Sequence, residues 1–482
     1  MSDATADGST DAGDVEATVD VTVVGAGVVG CAIARELTAH GLRVLLVEAR
    51  NDVGAGTSKA NTAIWHTGFD AKPGTLEARM VRRGHHLLCE RAITAGWPLL
   101  RCGAVLVAWD NEQLARLPVI AANAHEVGYP HITALSADEV YAREPHLGPG
   151  ARGGLLVPDE GLLDPWAVTL NLATEAVING AQLWRSSPVT GVTPGSTWHQ
   201  VRCGSRQVRT RWVVDAAGLD SDVVDGWFGH TDFTVTPRRG QLIVFDKLAR
   251  RLLTHIVLPV PTATTKGVLV SPTVYGNVLL GPTAEDLDDR SATQTSHEGL
   301  QALMAQGRRI LPSLLDEEVT ATYAGLRAAT EHSDYQYGVF ADERYVRVGG
   351  IRSTGVSGSL ALAEQLVSDL ADAGVAIEPV VGFRTWRVPD LSEGDHRPYL
   401  DERLIAGDTA SGRIVCHCER VTEREVTQAL SSPVPPADAA GLKRRTRVLM
   451  GRCQGFYCGA TVARLLDAAP DPGALGQEGR VG

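Results

Sequence analysis

The sequence predicts an α/β nucleotide-binding unit of the Rossmann type, with a mixed-sheet α+β part inserted into it and a small helical region at the C-terminus. Three observations carry this. An apolar β-type run, Val19 to Val24, enters Gly25-x-Gly27-x-x-Gly30, then a helical pattern, then a second apolar strand ending at Glu48. Strand-like runs such as QLIVFD, GVLVS and NVLLG recur within residues 226–340. Four of the eight cysteines fall in the 43 residues from Cys416 to Cys458, where ~0.7 is expected by chance. A chain of 482 residues, 44% of them apolar, has material for about three domains.

Taken in order, residues 1–17 are acidic and rich in small residues, which predicts a disordered tail. They lack the basic and apolar regions of a secretory signal, so the chain is expected to be cytoplasmic. In the βαβ unit Gly25 allows the tight turn, Gly27 lets the backbone approach a pyrophosphate, and Gly30 lets helix and strand pack closely. The pyrophosphate then meets free N–H groups at a helix N-terminus. Glu48 lies 18 residues past Gly30, near the position of the acid that holds a ribose hydroxyl. Helical patterns at 75–95, 111–127 and 165–178 alternate with short strands. The nucleotide-binding parts are expected at 18–95, 155–225 and 341–375, and the substrate parts at 96–154 and 226–340. Residues 376–409 read as a connector, 410–468 as the cysteine-bearing domain and 469–482 as a second disordered tail.

The glycine motif alone does not choose between FAD and NAD. Two later segments favour FAD. RWVVDAAGLDS, residues 211–221, ends a strand in Ala216-Ala217-Gly218, a second small-residue approach to a cofactor. YVRVGGIRSTGVSGSLALAEQLVSD, residues 345–369, reads as strand, Gly/Ser/Thr loop and helix, whose N-terminus offers N–H groups to a flavin ring edge. Either segment alone is also an ordinary strand-to-helix turn.

The cysteines ask for a metal or a disulfide, and reducing compartments favour the metal. Cys416-His417-Cys418 and Cys453-x4-Cys458 fit zinc knuckles poorly and a 2Fe-2S cluster better. Zinc and unliganded thiols remain as alternatives. His417 reads as a surface residue.

IVCHCERVTEREVTQAL and GLKRRTRVLMGRCQGFYC resemble the bacterioferritin-associated ferredoxin-like domain, in which the matching cysteines, here Cys416, Cys418, Cys453 and Cys458, ligate a 2Fe-2S cluster. The neighbouring Lys443, Arg444, Arg445, Arg447 and Arg452 are expected to lower the cost of that buried anion, the competing reading being a solvated helix face. The rest of the chain resembles the D-amino-acid oxidase-like flavoproteins. GAGTSKANTAIWHTGFDAKPGTLEARMVRRG, VTPRRGQLIVFDK and TYAGLRAATEH are similar to landmarks of the glycerol-3-phosphate and L-2-hydroxyglutarate dehydrogenase branch. The combined architecture resembles the large subunits of anaerobic glycerol-3-phosphate dehydrogenases. Together with the motifs above, the resemblance implies FAD contacts at Gly25, Gly27, Val28, Gly30, Glu48, Thr57, Ser58, Asn61, His66, Val189, Ala217, Gly218, Gly350, Ser353, Thr354, Gly355 and Val356.

Oxidation of a C–H bond bearing oxygen or nitrogen needs an anchor and a base. Arg327 is the expected anchor, since a guanidinium binds carboxylate or phosphate bidentately, against the alternative of a salt bridge. His66 is the expected base; a structural histidine and a covalent flavin attachment point are its competing readings. Lys266 and Arg239 are further substrate-binding candidates. Asp70-Ala71 stands where respiratory-type relatives carry Arg-Tyr, and a carboxylate there repels phosphate.

A one-electron cluster beside a flavin is what a dehydrogenase uses and a direct oxidase does not need. The expectation is an FAD-dependent dehydrogenase of a small anionic hydroxy compound, of the glycerol 3-phosphate or 2-hydroxy acid type. Its electrons leave to a partner subunit or a quinone-linked anchor. The alternatives are an amine or amino-acid dehydrogenase and a non-catalytic electron-transfer subunit. The net charge of -12 argues against nucleic acid. No apolar run of membrane-spanning length occurs, which leaves peripheral membrane association through a partner.

Overall fold

The computed structural model describes residues 15–261, 267–389 and 396–469. Most of the expected N-terminal tail, Lys266 and nearly all of the expected C-terminal tail lie outside the described residues. The first strand, Val15–Val24, begins inside the stretch expected as tail. It runs parallel to Arg206–Asp215 from the Val15/Gln207 pair to the Val24/Asp215 pair, so a distant strand, and not local composition, sets where it starts. On its other side lies Val44–Val47. With both faces covered, these strands carry unbroken apolar residues: Val21, Val23, Leu45 and Leu46 are all buried. Gly25 adopts φ +100°, and a Cβ on Gly30 would fall 1.9 Å from the Gly25 carbonyl oxygen. The helix Val28–Ala39 therefore sits directly on its own turn.

This first sheet has eight strands. One of them, Gln336–Phe340, lies in the stretch expected to belong to the substrate sheet. It pairs antiparallel with Tyr345–Gly349 and so returns the chain to the nucleotide-binding sheet earlier than expected. Helix Val28–Ala39 packs between Pro165–Ile178 and Gly355–Asp372, and Leu76–Ala95 crosses the last of these. The crossing is close because position 84 is glycine: a Cβ there would lie 2.0 Å from the Ser357 carbonyl oxygen.

The second sheet has nine strands, drawn from residues 104–157 and 236–329. Its long pair is Thr236–Phe245 against Val319–Ala329, with Arg238 opposite Arg327 and Gly240 opposite Gly325. Alternation sends Gln241, Ile243 and Phe245 toward the covering helix His297–Ile310, whose Leu303 and Ile310 are buried. Arg238, Gly240 and Leu242 face the space between the two sheets. A three-stranded sheet, with Gly161–Leu163 between Ile64–Trp65 and Leu99–Leu100, closes one wall of that space.

The expected connector is docked. Val380 N–H donates to Ala39 O (2.8 Å), Val388 N–H to Ala95 O (2.8 Å), and Trp386 N–H to the buried Glu175 (3.1 Å). The C-terminal region is a short hairpin, Ile414–Cys416 with Val421–Thr422, and three helices, Glu423–Leu430, Ala439–Thr446 and Gly459–Asp467. Its core is small, built on Val421, Val426, Leu442, Val448 and Val462, which is too little apolar surface for much independent stability. Among the described residues no helix is long and apolar enough to cross a membrane.

Candidate functional site

A cavity of about 830 Å³ runs between the sheets from the Gly25 turn to Arg327. It brings together Gly25, Gly27, Val28, Glu48, Thr57, Ser58, Asn61, His66, Val189, Ala217, Gly218, Gly350, Ser353, Gly355 and Val356. Two residues expected at the cofactor are not on its wall. Gly30 is spent on packing against Gly25. The Thr354 hydroxyl turns to Glu77 (2.7 Å) and to Tyr335 Oη (2.6 Å), leaving its helix, Gly355–Asp372, without a side-chain N-cap. That helix's first N–H groups therefore face the cavity end unclaimed by a cap.

At the nucleotide end, Glu48 accepts from the N–H groups of Ala26 (2.9 Å) and Arg50 (2.8 Å). Burial pushes its carboxyl up and these bonds oppose the push. Val28 N–H donates to Ser58 Oγ (2.9 Å), and Thr57 Oγ1 donates to Leu326 O (2.8 Å), so the loop after Gly56 is strung between the two sheets. A Cβ at Gly56 or at Gly218 would meet nothing within 4 Å, which leaves open space along this part of the wall.

At the other end stands Arg327. Among the described residues no carboxylate pairs with it; its hydrogen bond is to Thr283 O (3.4 Å). Desolvation, then the neighbouring charge of Arg238, pushes its pKa down to about 10, the signature of a cation short of an anion. Arg239 does not join it. Arg239 pairs across the strand with Glu285 (2.6 Å) on the opposite face, and it is Arg238, held by Asp286, that lines the cavity. The expectation fell on the wrong member of an adjacent pair because alternation fixes which side of the sheet each faces, and only the register says which side is inside. His66 and Asp70 line the same cavity.

One residue behind this wall had no signal in the sequence. Glu160 is 1% exposed, accepts from Thr67 N–H (2.7 Å) and Thr67 Oγ1 (2.9 Å), and lies 3.3 Å from His66 Nδ1. It comes from a turn about ninety residues away in the chain, so no local pattern links the two.

The four C-terminal cysteines lie as two neighbouring pairs, Cys416 beside Cys458 and Cys418 beside Cys453. Backbone N–H groups converge on them. Tyr457 N–H, followed by those of Gly455 and Phe456, holds the Cys453 thiol below its ordinary pKa. Gln454 (φ +47°) and Leu449 (φ +66°) adopt left-handed backbone to form these turns. Gly451 is required beside them, since a Cβ there would lie 2.1 Å from Cys418 Cβ. With the backbone turned inward, Phe456 and Tyr457 point out, 83% and 74% exposed. His417 is exposed.

The basic residues nearby have a task that the sequence did not show. Arg445 grips the fully buried Asp52 with both terminal nitrogens (2.7 and 2.8 Å) and Arg444 adds a third bond (2.6 Å). Arg447 pairs with Glu419 (2.8 Å) and lies 3.8 Å above the Tyr275 ring, whose hydroxyl bonds Asp164. Arg452 pairs with Asp246 (3.1 Å) and Glu318 (3.0 Å). These guanidinium groups are committed to carboxylates, and Arg444, Arg445 and Arg452 fasten the C-terminal region to the rest of the molecule. Lys443 is half-buried.

A family profile described as FAD dependent oxidoreductase matches residues 20–369, and one described as BFD-like [2Fe-2S] binding domain matches residues 414–468. A glycerol 3-phosphate dehydrogenase of Caloramator mitchellensis is 34% identical over 453 residues, 93% of each chain. One subunit of the anaerobic glycerol-3-phosphate dehydrogenase of Escherichia coli K12 is 25% identical, the match covering 93% of this chain and 88% of its own length. The solved structure of dithionite-reduced L-α-glycerophosphate oxidase from Mycoplasma pneumoniae with FAD bound superimposes with a TM-score of 0.72. It is 28% identical and covers 77% of this chain with 99% of its own. The residues of the two sites suit both groups. The cavity opens onto a glycine turn and a helix N-terminus fit for a pyrophosphate, and four thiols in two pairs with inward N–H groups suit a thiolate-ligated cluster.

Proposed function

This chain belongs to the FAD-dependent oxidoreductases, and from that premise we propose that its substrate is glycerol 3-phosphate, oxidised at a hydroxyl-bearing carbon. The reading is carried by Arg327, a cavity-wall guanidinium without a carboxylate partner among the described residues. Such a group is desolvated at a cost unless an anion arrives to pair with it. FAD bound in the cavity supplies a two-electron acceptor, and a 2Fe-2S cluster on the four cysteines supplies a one-electron outlet. Arg327 holds the substrate anion and fixes which carbon is presented. His66, on the same wall, takes the hydroxyl proton.

Asp70 favours a second reading. A carboxylate on the cavity wall disfavours a phosphate dianion more than a carboxylate, which points to a 2-hydroxy acid such as 2-hydroxyglutarate. The C-terminal region suits a protein acceptor, as a partner subunit or a quinone-linked anchor, in the cytoplasm or at a membrane surface reached through that partner. The deciding experiment is anaerobic titration of the FAD-loaded, iron-loaded protein with glycerol 3-phosphate, 2-hydroxyglutarate and a panel of amino acids. Bleaching of the flavin bands by glycerol 3-phosphate alone is the expected result. Bleaching by 2-hydroxyglutarate alone replaces it with the second reading, and bleaching by an amino acid alone sinks both.

A further inference from the structure

We propose that Glu160 is a positioning residue for His66, fixing its Nδ1 so that Nε2 is the nitrogen that receives the substrate proton. This rests on the function proposed above and assigns a role to a residue outside the cofactor and anion sites.

The pairing register carries the argument. Ile64 lies opposite Leu162 and Trp65 opposite Gly161 in antiparallel strands. One step further along both chains brings His66 opposite Glu160, on a common face. A Cβ on Gly161 would fall 3.1 Å from the Trp65 ring, so the small residue lets the two strands close up beside the pair.

Glu160 is then locked. Its Oε1 takes both hydrogen bonds of Thr67, which leaves Oε2 turned to His66 Nδ1 at 3.3 Å. The main chain of His66 is held as well: its N–H donates to Ser357 Oγ (2.9 Å) and its carbonyl accepts from His85 Nδ1 (3.2 Å). The Glu160 carboxylate therefore cannot swing away without breaking its bond to the Thr67 N–H, and the main chain that carries the imidazole is fixed at both its N–H and its carbonyl.

The other titratable groups around this carboxylate are engaged elsewhere or stay neutral. His85 is buried, stacked on Trp65 at 4.3 Å, and desolvation pushes its pKa down to about 4, so it stays neutral. Arg82 spends its guanidinium on the carbonyls of Thr67 and Gly128. Asp159 pairs with His131 and with the Tyr129 hydroxyl, and burial keeps the Cys102 thiol protonated. A buried carboxylate facing Nδ1 favours the tautomer that carries its proton there. In that tautomer Nε2 is the nitrogen that carries the lone pair, and so the one that can accept a proton. As the substrate C–H pair leaves as hydride to the bound flavin, the O–H proton goes to Nε2, the C–O bond becomes C=O, and Glu160 offsets the imidazolium charge.

The test uses FAD-loaded Glu160→Gln, which keeps the size and the Thr67 contacts, with Glu160→Asp as a charge-retaining second variant should the first fold poorly. Stopped-flow flavin reduction by glycerol 3-phosphate should slow on the order of ten- to a hundredfold in E160Q, with little change in the substrate concentration at half-saturation. The acid limb of the rate–pH profile should move to lower pH, because an imidazolium without its carboxylate loses its proton more readily. E160D should recover part of the rate, and E160Q should add no further loss to His66→Asn. Wild-type rate and pH profile in E160Q, or losses that multiply with H66N, would overturn the proposal. A readout free of substrate separates it from the functional reading: ¹⁵N shifts of His66 in histidine-labelled protein. A change of tautomer pattern between wild type and E160Q supports the dyad even if glycerol 3-phosphate bleaches nothing, and identical His66 spectra refute it.

Discussion

Arg327 owes its character to what it lacks. Its neighbour Arg238 is discharged by Asp286 and Arg239 by Glu285, while Arg327 meets only a carbonyl among the described residues. A charged hydrogen bond to a buried anion is worth about 1.5–3 kcal/mol. Arg327→Ala is therefore expected to weaken substrate binding roughly ten- to a hundredfold, read as the glycerol 3-phosphate concentration that half-bleaches the flavin, with FAD content unchanged. Arg327→Lys should fall between, since it keeps charge and loses the fork. Unchanged titration in both variants would remove Arg327 from the anion site. At this scale the sequence was legible where a residue's chemistry is rare and its neighbours bland, as in Ala324-Gly325-Leu326-Arg327. It was not legible where register decides. Arg238 and Arg239 look alike in the chain, and Glu160 carries no local mark that a histidine lies across the strand from it.

The helix Ala439–Thr446 is where an element acts as a fastener. Its two arginines enclose Asp52, whose carboxyl burial pushes up but Arg445, then Arg444, hold below its ordinary value. A carboxyl depressed in the folded protein contributes stability that is complete above its unfolded pKa, near 4, and is lost as pH falls through the folded value. The C-terminal region should therefore loosen below about pH 4, seen as faster hydrogen exchange across residues 439–446. Asp52→Asn should loosen it at neutral pH, because removing one partner of a buried pair costs about 3–5 kcal/mol; equal exchange in the two proteins would show that the clamp is not what holds the helix. The loop Cys453 to Cys458 is as exacting. Gly451→Ala should lower bound iron in the purified protein, since a Cβ there displaces Cys418; full iron content would mean that the loop can yield. The cysteine spacing was readable from the chain, whereas the carboxylate partners of the arginines beside it were not, because they lie in other elements, Asp52 almost four hundred residues away.

Across the whole molecule, two sheets enclose the candidate site and a third, small region carries the thiols. Cys416→Ser is expected to abolish the cluster's visible absorbance while leaving anaerobic flavin bleaching by substrate intact; loss of bleaching in a folded, FAD-loaded variant would reverse the proposed order of electron flow. The large-scale plan was legible because the glycine turn, the terminal helix and the cysteines each impose a local pattern. The boundaries were less so: Val15–Val24 joins the first sheet through a distant strand and Gln336–Phe340 through the hairpin with Tyr345–Gly349, and the docked connector is held by backbone bonds and by side chains such as Glu175 and Asn179 from far along the chain. The clamp at Asp52 also sets a rule for grafting. Transplanting the thiol-bearing region onto a two-sheet scaffold that lacks it must carry the acid and the helix together. The acid alone would be a carboxylate sealed in the interior with, among the described residues, the Val53 N–H (2.9 Å) and a more distant Arg185 (3.9 Å) to answer it, and the helix alone would bring two guanidinium groups to a surface with nothing to receive them.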